Sequence, residues 1–335
     1  MDPHTPLAHG LAAAAHGPSP APAVPAATLD LLLLRLEGLL QRAEALLPPA
    51  PHPPPWAEAT AFRWRPLPLG HGVLEAIALT APPSGLEHLL RVDRPRDALI
   101  DNTRQFLAGL PCNHALLFGP RGTGKSSLVK AVWAAYRAQG LRLIEVDRDH
   151  LRDLPRIAEI CHSRPERFLL FCDDLSFEEG DSGYKAIKVV LEGSIAGCPD
   201  NLLLYATSNR RHLLPERMTD NHAAQYRDGE IHPGEAVEER ISLAERFGLR
   251  LSFHPFDQDE YLAIVHHWIA ALGGGSGGGP SGAETATPPG EAEAEMEREA
   301  LRFALAHGAR SGRAARQFAR EWCGRRALIR YNTLP

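Results

Sequence analysis

The chain has 335 residues, enough for about two domains and a sizeable core. Apolar residues make up 44% and charged residues 23%, which excludes a largely unfolded chain, and the net charge of −5 gives no overall electrostatic reason to bind nucleic acid. Five cysteines, Cys112, Cys161, Cys172, Cys198 and Cys323, are scattered without C-x-x-C pairing, which argues for free thiols in a reducing cytoplasm over a disulfide framework or a zinc site.

Residues 1–27 contain no Lys or Arg and are dominated by Ala, Pro and His, so they read as a disordered tail without an export signal. The stretch "TLDLLLLRLEGLLQRAEALL" carries Asp30, Arg35, Glu37, Arg42 and Glu44 through its length. It is expected to form an amphipathic helix that does not span a membrane, its leucine stripe fitting a core or partner contact. "PPAPHPPP" cannot continue that helix and reads as a stiff linker. The rest of a mixed region, 28–110, holds an aromatic patch at Phe62 and Trp64, a strand near "VLEAIAL" and a helical pattern in "RDALIDNTRQFLAGL".

From Pro111 the pattern changes to apolar runs alternating with amphipathic helices: "HALLFG", "LRLIEVD", "RFLLFCDD", "NLLLYATSN" and "LRLSFHP". Five such runs predict an α/β core over 111–256, a five-stranded, mainly parallel sheet flanked by helices. The interval from Arg210 to Gly248 is longer, and "NHAAQYRDGEIHPGEAVEER" within it reads as an inserted loop. A C-terminal helical region, 257–330, opens with "QDEYLAIVHHWIAAL", is interrupted by a Gly-rich linker at 273–290, and resumes at Glu291 through "ARSGRAARQFAREW".

The segment "GPRGTGKSSLVKA" holds two of only four lysines, against 32 arginines. Its spacing is G-x-x-x-x-G-K-S, between a predicted strand and a predicted helix, the context in which a backbone loop cradles phosphate. Gly119, Pro120, Arg121, Gly122, Thr123, Gly124, Lys125, Ser126 and Ser127 are the expected cradle. Lysine, a compact point charge on a flexible stem, reaches the outer phosphates where arginine's planar fork would not fit. Downstream, "RFLLFCDD" ends a buried strand in Asp173 and Asp174. Mg²⁺ takes oxygen ligands, so Ser126 and Asp173 are the expected metal residues, while Asp174 would orient or deprotonate the attacking water.

From about Asp93 to Arg320 the chain resembles the AAA+ ATPases. It is more closely similar to a bacterial AAA+ ATP-binding family catalogued as a domain of unknown function, through "RPERFLLFCDDLSFEEGDSGYKAIKVVLEGS", "LLLYATSNRRHLLPE" and "GEIHPGEAVEERISLAERFGLRLSFHPFDQDEYLAIV". The resemblance implies ATP and Mg²⁺ as ligands, a C-terminal helical lid, and a homo-oligomer acting on a protein client. It further implies that Asn209 in "YATSN" contacts the attacking water or outer phosphate. Arg246 in "ERFG" would be an arginine finger acting in trans, with Arg240 the fallback, and Arg313 in "SGRAARQF" a lid sensor, with Arg316 the alternative. One departure is Asp174, where most AAA+ ATPases carry Glu. A methylene less withdraws the carboxylate by about 1 Å, enough to cost ~10²-fold in rate, so hydrolysis is expected to be slow and to serve as a timer. Two further readings remain: a nucleotide-gated scaffold with little turnover, and a DNA-linked loader using Arg313, Arg316 and Arg320 on one helix face.

Overall fold

A computed structural model describes residues 26–46, 53–67, 72–79, 85–177, 182–192, 199–209, 225–227, 230–232, 243–273 and 289–333. Residues 1–25, 48–52 and 274–288, Arg240, Cys198 and most of the inserted loop lie outside the described residues. The chain divides into two compact units, Met1–His52 and Pro53–Pro335. In the first, Ala26–Leu46 forms the expected helix, α1. No helix among the described residues is long and apolar enough to cross a membrane.

The second unit is built on a seven-stranded sheet. The five expected runs become β3 (Ala115–Phe118), β4 (Leu141–Glu145), β5 (Arg167–Cys172), β6 (Leu202–Ser208) and β9 (Leu249–Ser252). They pair in parallel in the order β4-β5-β6-β3-β9. The sheet is wider than the five strands expected, because β1 (Ala61–Pro66) joins β4 in parallel and β2 (Gly72–Ala76) closes the edge antiparallel to β1. The aromatic patch explains the addition: Phe62 and Trp64 alternate inward on β1 and are buried, and the Trp64 indole donates to Asp153 at 2.9 Å. A short hairpin of β7 (Gln225–Arg227) and β8 (Glu230–His232) lies within the predicted inserted loop.

The apolar runs follow from burial on both faces. Phe168, Leu170 and Cys172 of β5 enter one core and Leu169 and Phe171 the other. Helices α2 (Asp93–Leu107) and α3 (Lys125–Tyr136) cover one face, while α4 (Leu154–His162) and α5 (Ser182–Glu192) contribute to the other. A buried polar knot fixes α2: the Tyr205 hydroxyl on β6 is 2.8 Å from Thr103 Oγ1 and accepts from Asn102 Nδ2 at 3.1 Å. Asn102 also accepts from the Asn113 N–H and donates to the Asn113 carbonyl. The C-terminal region holds α6 (Gln258–Gly273), α7 (Pro289–Ala306) and α8 (Gly312–Thr333). The pattern expected to run on from Glu291 breaks instead between α7 and α8, where Gly308 takes a left-handed φ of 72° and the Ser311 hydroxyl caps the Ala314 N–H at 3.1 Å.

His114, just before β3, gives the unit an acid limit. Its Nδ1 accepts the Leu204 N–H at 3.0 Å, and burial pushes its pKa down to about 4. Between the ordinary value near 6.5 and 4 the unfolded chain binds a proton that the folded chain refuses, so stability falls as pH falls through that window, by up to about 3 kcal/mol. Urea unfolding at neutral and acid pH should show His114→Gln losing correspondingly less stability than the parent; parallel losses would refute this origin.

Candidate functional site

The chemistry-bearing residues gather at the C-terminal ends of the central strands, where ligands bind in open parallel sheets. β3 delivers the loop Gly119–Gly124, β5 delivers Asp173 and Asp174, and β6, lying between them, delivers Thr207 and Asn209. The loop turns through three left-handed glycines, Gly119 (φ 142°), Gly122 (φ 79°) and Gly124 (φ 102°), before α3 begins at Lys125. A side chain at Gly119 would lie 2.2 Å from the Phe253 carbonyl, and one at Gly122 would lie 2.8 Å from Ser311. Glycine is required at both positions by space as well as by conformation. The result is a concave backbone at a helix N-terminus, which attracts anions through its N–H groups and the helix dipole.

Lys125 is buried beneath this loop and all three of its ammonium donors are used. It donates to the carbonyls of Gly119 and Pro120 at 2.7 Å each and to Asn209 Oδ1 at 3.1 Å. Burial pushes its pKa down, opposed by the carboxylates of Asp173 and Asp174. Ser126 Oγ donates to Asp173 Oδ1 at 2.5 Å, and Thr207 Oγ1 donates to the same oxygen at 2.5 Å. Thr207 also accepts the Asp174 N–H at 3.0 Å. This threonine was missed in the sequence. Its signal was a hydroxyl near the end of an otherwise apolar buried strand, beside two acids.

Asp174 itself has a left-handed φ of 53°, rare for a residue with a Cβ and typical of functional positions. Its Oδ1 accepts from Asn209 Nδ2, and its Oδ2 pairs with Arg121 at 3.5 Å. Two of the expected roles therefore meet in one hydrogen bond, Asn209 linking Lys125 to Asp174. The serine, threonine and aspartate oxygens form a hard, oxygen-only donor set, which suits Mg²⁺, and the glycine cradle suits a phosphate.

These residues open onto a cavity of 640 Å³, also lined by Leu90, Phe256 and Trp268. Arg313, Arg316 and Arg320 reach it from α8. They are distinguished by their neighbours: Arg313 adjoins Gly122 of the loop, whereas the Arg316 guanidinium lies 4.6 Å over the Trp268 ring. Arg246 does not reach the cavity; its Nε donates to Glu192 at the end of α5, and that pairing holds the Glu192 carboxyl below its ordinary pKa. Its fallback, Arg240, lies outside the described residues.

The family model described as "Protein of unknown function (DUF815)" matches residues 57–326. No curated protein matches the chain significantly. Among solved structures it is similar to a lysine-to-arginine mutant of RuvB from Thermotoga maritima, at 16% identity and a TM-score of 0.48, covering 74% of this chain and 67% of that one. A proline-to-glycine mutant of the same protein gives 16% and 0.47, covering 75% and 68%. The Thermotoga maritima RuvB Holliday junction branch migration motor gives 17% and 0.39, covering 71% of each chain.

Proposed function

We propose that this chain, which belongs to the DUF815 family, is a Mg²⁺-dependent ATPase of AAA+ type that couples nucleotide state to the assembly or remodelling of a partner protein. The observation that carries this reading is the convergence, at one cavity, of the glycine cradle, Lys125, the Ser126–Asp173 pair and the Asp174–Asn209 pair. Lys125 and the loop N–H groups would hold the phosphates, and Ser126 with Asp173 would hold the ion, Thr207 fixing the carboxylate from the other side. Bound Mg²⁺ supplies neutralisation of charge developing on the transferred phosphoryl group. Asp174 would orient water and take its proton, with Asn209 setting the direction of its carboxylate. Arg313 is favoured over Arg316 as the lid sensor because Arg316 is held on Trp268.

A second reading, a nucleotide-gated scaffold, is favoured by Asp174 standing one methylene short of glutamate and already engaged by Asn209 and Arg121. The DNA-linked loader is less favoured, since Arg313, Arg316 and Arg320 all line the same cavity. Nucleotide binding and phosphate release measured together separate the first two. Asp174→Asn should keep ATP affinity within a few-fold and lower phosphate release by about 10²-fold or more. Stoichiometric binding by the parent without any release, at every protein concentration, would leave the scaffold.

A further inference from the structure

We infer that α1 assembles copies of this chain into a parallel helical bundle, an inference independent of the reading given above. Leu32, Leu33, Leu36, Leu39 and Leu40 recur at i, i+1, i+4, i+7 and i+8, a stripe covering about a third of the helix circumference. Each is between 51% and 61% exposed. Leu32, Leu36 and Leu39 follow the alternating four and three spacing of a coiled-coil seam, with Leu33 and Leu40 widening it on one side. Gly38 lies within the helix with no atom near the place of its missing side chain, at a cost of about 1 kcal/mol against alanine. The rest of the helix is built almost wholly of strong helix formers, and its exposed leucines are what packing would bury.

Charge identifies the occupant as a second copy and sets its direction. With about 100° of turn per residue, Arg35 and Arg42 border the stripe on one edge and Asp30 and Glu37 border it on the other. Parallel copies bring opposite edges together, so the arginines of one helix meet the acids of its neighbour. Antiparallel copies bring like edges together and set arginine against arginine and acid against acid. Leu31 and Leu34 lie on the opposite side of the helix from the stripe and take no part in the seam. A lipid surface fits less well, because the helix has three acidic residues to two basic ones, without the basic excess of interfacial helices.

The test is sedimentation of the full chain without nucleotide, over a wide range of concentration. The parent should self-associate, and Leu36→Glu combined with Leu39→Glu should reduce the mass to that of one chain, weakening association at least about a hundredfold. Retained nucleotide binding and an unchanged near-UV spectrum would show that this variant leaves Pro53–Pro335 folded. Chains carrying Arg35→Glu with Arg42→Glu should associate poorly alone, as should chains carrying Asp30→Arg with Glu37→Arg, yet the two should co-assemble when mixed. A monomeric parent, an unchanged mass in the leucine variant, failure of the two charge variants to co-assemble, or capture of the parent by anionic vesicles in place of self-association would each overturn the proposal.

Discussion

Lys125→Ala is expected to weaken ATP binding by at least about a hundredfold and to remove phosphate release altogether, because it deletes the one ammonium seated inside the loop. Lys125→Arg should fail almost as badly despite keeping the charge. A planar fork cannot serve the Gly119 and Pro120 carbonyls and Asn209 from one buried point as an ammonium does. Isothermal calorimetry with a slowly hydrolysed ATP analogue measures the loss, and thermal unfolding of the nucleotide-free proteins provides the control. Removing the lysine leaves three acceptors without their donor, so a modest fall in melting temperature should accompany the loss of binding. Phosphate release from a purified Lys125→Ala protein at the parent rate would defeat the ATPase reading.

Arg246→Ala should leave ATP affinity unchanged and reduce turnover by roughly 10³ to 10⁵-fold if Arg246 serves a neighbouring subunit as a finger. Arg246 does not line its own chain's cavity and donates to Glu192, so a finger role requires the site of a neighbouring subunit. The same substitution read as the loss of an ion pair at the surface predicts an almost unchanged rate. Mixing separates the cases. A Lys125→Ala chain lacks a working site but carries Arg246, and an Arg246→Ala chain has the site but lacks the arginine. Equal amounts of the two should recover turnover that neither shows alone; a mixture as inactive as its parts would confine Arg246 to its own chain.

The five central strands were legible because a parallel strand buried on both faces has nearly every position apolar, as in "RFLLFC" and "LLLYATS". The glycine loop was legible for a related reason, since its glycines are fixed by backbone shape and neighbouring atoms and leave a rigid spacing in the text. Pairing between β1 and β4 was hidden, because a parallel partner some 80 residues away leaves no local pattern. Phe62 and Trp64 announced burial without naming what they would pack on. Thr207 was hidden for the opposite reason: one hydroxyl carries no spacing, and its meaning appears only when β6 lies beside β5 and presents it to Asp173. The break between α7 and α8 could be suspected from Gly308, but the sequence keeps a helical pattern on both sides of it.

The Asn102 amide offers a mechanical consequence. One side chain on α2 grips the peptide of Asn113, two residues ahead of β3, and the hydroxyl of Tyr205, two residues before Thr207 on β6. Asn102 therefore ties α2 to two strands at once, and those strands are themselves paired in parallel. The loop with its lysine follows one strand and Thr207 with Asn209 the other, so one amide, together with the ladder between the strands, sets the spacing between them.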